Sequence, residues 1–239
     1  STGSIHRPQY AYGGNVTAST YLADRKYRLS AELFYKRLHH QVEYLGNLLD
    51  LVNTEYNLDA NLIHGNGTNC GFNVMLHKRN GNLKGWIAYT FTHSRRQFRE
   101  FADDRKYPSN HERPHEINSI ATYSLPRHWS FGFNLVFASG TPFTAPVSME
   151  FINGNIVSQY GPYNGNRIKP YFRLDASANY KWKSRRGMEK GINISLYNVT
   201  CRSNDLFYRV KFKHNKEFAY RPLSFFIPIL PSVSYFCKF

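Results

Sequence analysis

From Tyr171 to Trp182 the chain alternates without a break. Phe172, Leu174, Ala176, Ala178, Tyr180 and Trp182 share one parity, and Tyr171, Arg173, Asp175, Ser177, Asn179 and Lys181 the other. Successive strand side chains point to opposite faces, so this segment predicts a strand with one apolar and one polar face. Strands in soluble proteins run about five or six residues, whereas a tilted membrane strand needs about nine to eleven, and the length here favours the membrane. The same alternation recurs at Tyr27 to Arg37 and His128 to Ala138. It is weaker at Asn15 to Ala23, Thr68 to Lys78, Leu83 to His93, His115 to Leu125 and Gly191 to Val199. A ninth strand, Ile229 to Phe239, turns Val233, Tyr235, Cys237 and Phe239 outward and Ser232, Ser234, Phe236 and Lys238 inward.

The connections between these segments are sorted by length. Asp24 to Lys26, Arg79 to Asn82, Pro126-Arg127 and Lys183 to Lys190 are short. His39 to Gly67, Ser94 to Pro114, Ser139 to Pro170 and Thr200 to Pro228 are long, and the two kinds alternate. Outer-membrane barrels have short periplasmic turns and long outer loops, and a soluble sandwich has no cause to sort its loops this way. Structureless connections of this length also count against a compact soluble domain. The expected fold is all-β, an antiparallel transmembrane β-barrel segment of about nine strands. Tyr27, Tyr35, Trp86, Trp129, Tyr180 and Trp182 sit where aromatic girdles would fall.

Composition modifies this picture in two ways. Aromatics are 16% of the 239 residues and the formal charge is +15, while the mean hydropathy is −0.54. Alternation hides apolar residues from a hydropathy average, so a polar mean leaves a membrane barrel open. The basic residues are scattered, as at Arg25-Lys26, Lys78-Arg79, Arg95-Arg96 and Arg185-Arg186, with no basic helix to suggest nucleic acid. Outer-membrane lipid and anionic lipopolysaccharide are the expected partners of this charge. Cys70, Cys201 and Cys237 are an odd number without metal-ligand spacing and imply neither a disulfide framework nor a redox role. The start at Ser1 lacks signal-peptide features, so the chain is expected to be mature or partial.

Four segments carry a family resemblance: Glu112 to Leu125 followed by Trp129 to Pro146, then Tyr163 to Trp182, then Gly191 to Asn204. Joined to the closing Leu230 to Phe239, whose final Phe looks like a barrel-insertion signal, they resemble the C-terminal barrel of TonB-dependent outer-membrane receptors. Ser139 to Pro142 and Arg167 to Asp175 resemble the Bacteroidetes type most. The resemblance implies that residues 1–239 form the C-terminal part of a barrel of the 22-strand type, without the plug domain such receptors carry. The partners it implies are the remainder of the barrel, a plug on the same precursor or another chain, and the TonB system acting through that plug. The implied function is uptake of a scarce nutrient, an iron chelate, cobalamin, an oligosaccharide or a peptide. The rival reading is a non-transport barrel module, an adhesin or a structural part of an outer-membrane complex.

No Gly-x-Ser-x-Gly elbow or His-Glu-x-x-His motif is present, and the chain is expected to be neither an enzyme nor a cofactor protein. His39-His40 and the pair His111 and His115 lack carboxylate or Cys partners at ligand spacing, so they read as incidental rather than metal-binding. Gly65 to Gly71, a glycine-rich run with no helix after it, reads as a turn. Arg173 and Asp175 on the inward face suit pairing across strands or docking of a plug. Ligand contacts are expected from the long loops, where Arg95, Arg96 and Arg99, and Tyr160, Tyr163 and Arg167, gather cationic and aromatic groups.

Overall fold

The computed structural model describes residues 8–44, 62–99, 101–152, 155–184, 187–212, 218–224 and 228–238. Their strands are β1 (Tyr10–Leu22), β2 (Tyr27–Tyr44), β3 (Leu62–Lys78), β4 (Leu83–Phe98), β5 (Tyr107–Pro108), β6 (His115–Ser124), β7 (Trp129–Ala138) and β8 (Pro142–Phe143), then β9 (Pro146–Ile152), β10 (Asn155–Tyr160), β11 (Asn166–Arg167), β12 (Tyr171–Lys183), β13 (Glu189–Tyr197), β14 (Asp205–Phe212), β15 (Phe218–Ser224) and β16 (Leu230–Lys238). The nine expected strands form one antiparallel meander in the order β1-β2-β3-β4-β6-β7-β12-β13-β16, with β5 paired to β4. Among the described residues β1 pairs only with β2 and β16 only with β13.

The registers keep one apolar face continuous across the meander. Val16, Leu33, Phe72 and Phe91 lie opposite one another in turn. So do Leu76, Ile87, Ser119, Leu135 and Leu174, and likewise Ala178, Ile194 and Val233. The other face is polar, and its side chains bond across strands: Asn15 and Asn73 both donate to Glu32, at 2.8 and 3.1 Å, and Asn193 donates to Asn179 at 2.5 Å. A one-residue slip in any strand would reverse its faces, so the shared register fixes the sheet as two-sided.

The described residues hold almost no conventional core. Phe98, Tyr107, Ala138 and Ala145 are the buried hydrophobic residues, whereas Val16 and Val233 are 72% and 71% exposed. Water would penalise so broad an apolar face, and an apolar surrounding medium removes that penalty. The short connections close tightly. Ala23, Asp24 and Arg25 adopt left-handed backbone as Lys26 N–H donates to Ala23 C=O at 3.0 Å, and Gly81 supplies φ +93° to the Arg79–Asn82 turn.

Three expectations are corrected at the opposite end. β2, β3 and β4 continue to Tyr44, back to Leu62 and on to Phe98, beyond the segments where apolar alternation stops. Backbone pairing needs no apolar face, so the polar stretches stay in the ladder. Ser94 to Phe98 is therefore strand rather than loop, and so are the stretches 39–44 and 62–67. Gly65 to Gly71 is the middle of β3 rather than a turn, with Gly65 opposite Phe98 and Gly71 opposite Thr92. Finally, the long connections carry strands of their own: β8 pairs β11, β9 pairs β10, and β14 pairs β15. The expected terminal Phe239, the basic pair Arg185-Arg186 and the rest of the first long loop, 45–61, lie outside the described residues.

Candidate functional site

Where β3 and β4 run past the apolar band, their polar face forms the floor of a cavity of about 380 Å³. Asn69, Ser94 and Arg96 rise from the strands, Tyr107 from β5, and Asn110 and Glu112 from the segment that follows. Arg96 crosses the floor: its Nη1 donates to Asn69 Oδ1 at 3.0 Å and to Arg95 C=O at 3.1 Å, and Ser94 Oγ donates to the same Asn69 oxygen at 2.6 Å. Gly67 makes this possible, because a Cβ there would stand 2.7 Å from Arg96 Nη1.

An aromatic cluster backs the cavity. Tyr107 packs against Tyr163 and Phe98, with ring centroids 4.8 and 6.3 Å away, and Phe101 meets Tyr163 at 4.7 Å. Burial, helped by Glu43, raises the Tyr107 phenol above its ordinary pKa, and burial followed by Glu43 does the same to Tyr163. Among the described residues the Tyr107 hydroxyl has no hydrogen-bond partner. A buried phenol in that state is a donor available to whatever enters.

The second wall is built on Glu112, whose side chain is 1% exposed. It accepts the Ser94 N–H at 2.8 Å and a very short bond from Arg167 Nη2, while Arg95 Nη1 and His93 Nδ1 stand 3.9 Å away. Arg167 also donates to Glu112 C=O and Gly140 C=O, each at 3.1 Å. Asn164, left-handed at φ 53°, ties the same loop down by donating to Pro108 C=O at 2.8 Å and Asn110 Oδ1 at 2.6 Å. These bonds tie Asn164 and β11 to the Pro108–Glu112 stretch that lines the cavity.

The six residues expected to contact ligand therefore separate. Arg96 lies on the cavity floor and Tyr163 directly behind it. Arg167 is held in the wall by Glu112. Arg95 leaves β4 on the opposite, apolar side, because alternation divides neighbouring arginines, though its guanidinium reaches back to 3.9 Å from Glu112, and Arg99, just past the end of β4, lines a separate cleft. Tyr160, 65% exposed at the end of β10, does not line the cavity. Tyr107 and Glu112 were missed by sequence reasoning. A lone Tyr in Arg105-Lys-Tyr-Pro108 and a lone Glu in a loop give no periodic signal, and only the fold brings them to Arg96.

Deeper on the polar face, Asp175 gathers Asn134 Nδ2 at 3.0 Å, the Asn198 N–H at 2.9 Å and Arg173 Nε at 3.1 Å, and the Arg173 guanidinium lies 4.7 Å from the Tyr197 ring centre. The two charges, expected to pair across strands, pair with each other along β12, and each also reaches a neighbouring strand, Asp175 to Asn134 of β7 and Arg173 to Tyr197 of β13. Among the described residues no group of three His, Cys, Asp or Glu side chains is placed to hold a metal ion.

No family model matches the chain, and no curated protein matches it. Solved structures do. The ferripyoverdine receptor of the outer membrane of Pseudomonas aeruginosa, bound to ferripyoverdine, aligns over 97% of this chain and 28% of its own, at 11% identity and a TM-score of 0.57. The pyoverdine outer-membrane receptor of strain PAO1, bound to pyoverdine, covers 98% and 32%, at 12% identity and 0.58. The ferric-catecholate import receptor Fiu of Escherichia coli K12 covers 98% and 28%, at 14% identity and 0.56. The chain thus spans about a third or less of the receptors it matches, and its fold is that of a stretch of outer-membrane receptor barrel wall.

Proposed function

We propose that the chain lies in the outer membrane as part of the wall of a TonB-dependent transporter that imports an iron chelate. The observation that carries this reading is the two-faced nine-strand meander, apolar on one side from Val16 to Val233 and hydrogen-bonded and polar on the other. An antiparallel sheet whose apolar face is covered by almost no core among the described residues suits a barrel wall with lipid outside and a polar lumen inside. The lumen would hold a plug that contacts TonB. The matched receptors are described as binding ferripyoverdine or importing ferric catecholate, which favours an iron chelate among the nutrients considered. The Bacteroidetes-type flavour rests on the sequence segments alone.

In this reading the cavity between Arg96, Tyr107 and Asn110 faces the lumen at its outer mouth. Arg96 supplies a fixed positive charge and Tyr107 a hydroxyl without a partner among the described residues, a pair suited to the oxygens of a chelate, while Glu112 is occupied by Arg167 and Glu43 is the cavity's other carboxylate. Arg167 and Tyr163 position the walls, and Arg95, Arg99 and Tyr160 meet the exterior.

The test is uptake of a panel of labelled ferric chelates by cells with and without the gene, with and without a collapsed inner-membrane potential. Uptake of at least one chelate that requires both is expected, and it falls in Arg96→Ala. Wild-type uptake of every chelate by the deletion strain would overturn the proposal.

A further inference from the structure

The outward side of the same strands carries a second constellation. Tyr12, Arg37, Thr68, Arg95 and Pro108 are register partners across five neighbouring strands and share the face that is apolar further down. Arg37 and Arg95 flank Thr68, so their backbones are roughly 10 Å apart, two interstrand spacings. Two rows below them lies Val16-Leu33-Phe72-Phe91, the upper part of the apolar band. At about 3.3 Å per residue along a tilted strand, this puts the two guanidiniums some 10 Å beyond the apolar side chains, at headgroup depth.

The surroundings leave this row positive. Arg37 is exposed and has no ion-pair partner among the described residues. The carboxylate nearest Arg95 is Glu112 at 3.9 Å, which already binds Arg167 at much closer range. Arg95 and Arg167 thus share one carboxylate, Arg95 Nε also donates to His93 Nε2 at 3.3 Å, and among the described residues no acidic side chain shares the outward row. Beside the row, the His39 ring stacks on Tyr10 and Tyr12 at 4.9 and 5.3 Å. Directly above it opens a polar cleft of about 700 Å³, lined by His40, Asn66, Gln97 and Arg99 among others, with Asp104 its one acidic residue among those described.

Taking the membrane placement proposed above as its basis, we infer that this outward shelf binds the phosphorylated headgroup of lipopolysaccharide. A lipid A phosphate sits between Arg37 and Arg95 over the Thr68 hydroxyl, and the adjoining sugars occupy the cleft beneath Arg99. Guanidinium forks match phosphate oxygens in pairs, and stacked rings offer flat surfaces to sugars. The occupant is lipid A rather than a phospholipid because the site joins a cationic pincer to a sugar-sized polar cleft and stands above the apolar band at the end bearing the long loops.

The test compares the full-length protein with Arg37→Gln/Arg95→Gln, and with Arg28→Gln/Lys36→Gln, which removes equal charge from the polar face. Each is first checked for outer-membrane fractionation and heat-modifiable migration. Binding of bisphosphorylated lipid A in mixed micelles is then measured beside dephosphorylated lipid A and phosphatidylglycerol. The outward pair should weaken bisphosphorylated lipid A binding about 30-fold, since each surface arginine contributes about fivefold, and the polar-face pair should leave it unchanged. Equal losses in both pairs, no loss in the outward pair, or equally tight binding of phosphatidylglycerol would overturn the inference. Failure of the wild type to reach the outer membrane would instead sink the placement on which it rests.

Discussion

Replacing Ala176 with Arg tests the lipid face at its most exacting point. Ala176 is four residues after Phe172 and six before Trp182 on the same face, so at about 3.3 Å per residue and a tilt of about 40° it lies roughly 10 and 15 Å from those aromatic ends, near the bilayer midplane. Its row partners are Phe133 and Leu196, both outward and substantially exposed. Truncation loss is negligible at an alanine, so the change isolates the transfer of a guanidinium into hydrocarbon, about 2–4 kcal/mol. That is roughly a 30- to 900-fold shift in the folding equilibrium. The adjacent Ser177, which opposes Gly132 and Ser195 on the polar face, provides the contrast. Ser177→Asn should cost within about 0.5 kcal/mol, as surface polar exchanges do. Urea titration of the protein refolded into lipid vesicles, read by the heat-modifiable band, measures both. Equal tolerance at positions 176 and 177 would refute the two-faced wall, because one neighbour faces lipid and the other the lumen in any register that preserves the sheet.

An epitope inserted after Arg105, exposed beyond β4, should bind antibody on intact cells, whereas one at Gly81 should react only after the outer membrane is breached. The reverse pattern would invert the topology. Arg167→Ala strands the buried Glu112 carboxylate and should loosen the wall by about 2–3 kcal/mol, seen as faster hydrogen exchange and protease nicking within residues 140–167 while the transmembrane strands stay protected. Tyr107 and Tyr163 favour their neutral form in the folded state, so their stabilisation is complete below the ordinary tyrosine pKa of about 10 and fades as the pH climbs through their raised values. Ultraviolet titration of Tyr107→Phe should accordingly lose tyrosinate signal only above that ordinary range.

Sequence periodicity located the nine strands because a wall between lipid and lumen writes itself into every second residue. Phe172 to Trp182 could be read directly, and its register partners Trp129 to Phe137 repeat the same parity. The pattern failed where that boundary ended. Above Tyr35 and Phe91 both faces of β2, β3 and β4 are polar, so nothing in the residues marks Arg37 to Tyr44 or Ser94 to Phe98 as strand. The continuing ladder is decided by backbone hydrogen bonds to neighbours whose sequence is equally uninformative. The small hairpins at Pro146 to Tyr160 and Asp205 to Ser224 escaped notice for the same reason, since a surface hairpin needs no two-sided alternation.

The candidate site shows what this blindness costs in functional terms. Arg95 and Arg96 look like one basic pair when Ser94 to Pro114 is taken as a loop, where neighbouring side chains are free to converge on a ligand. In a strand the two arginines are separated by the thickness of the sheet. Arg96 then joins Asn69 and Tyr107 on the lumenal side, and Arg95 joins Arg37 and Thr68 on the side that meets the membrane surface. A single secondary-structure assignment thus converts one six-residue ligand group into two sites with different partners. The double assignment is testable at adjacent positions: Arg96→Gln should impair chelate uptake with lipid A binding intact, and Arg95→Gln should weaken lipid A binding with uptake intact. If both substitutions affect the same function, residues 94–98 act as a flexible loop and the extension of β4 to Phe98 does not hold in the membrane.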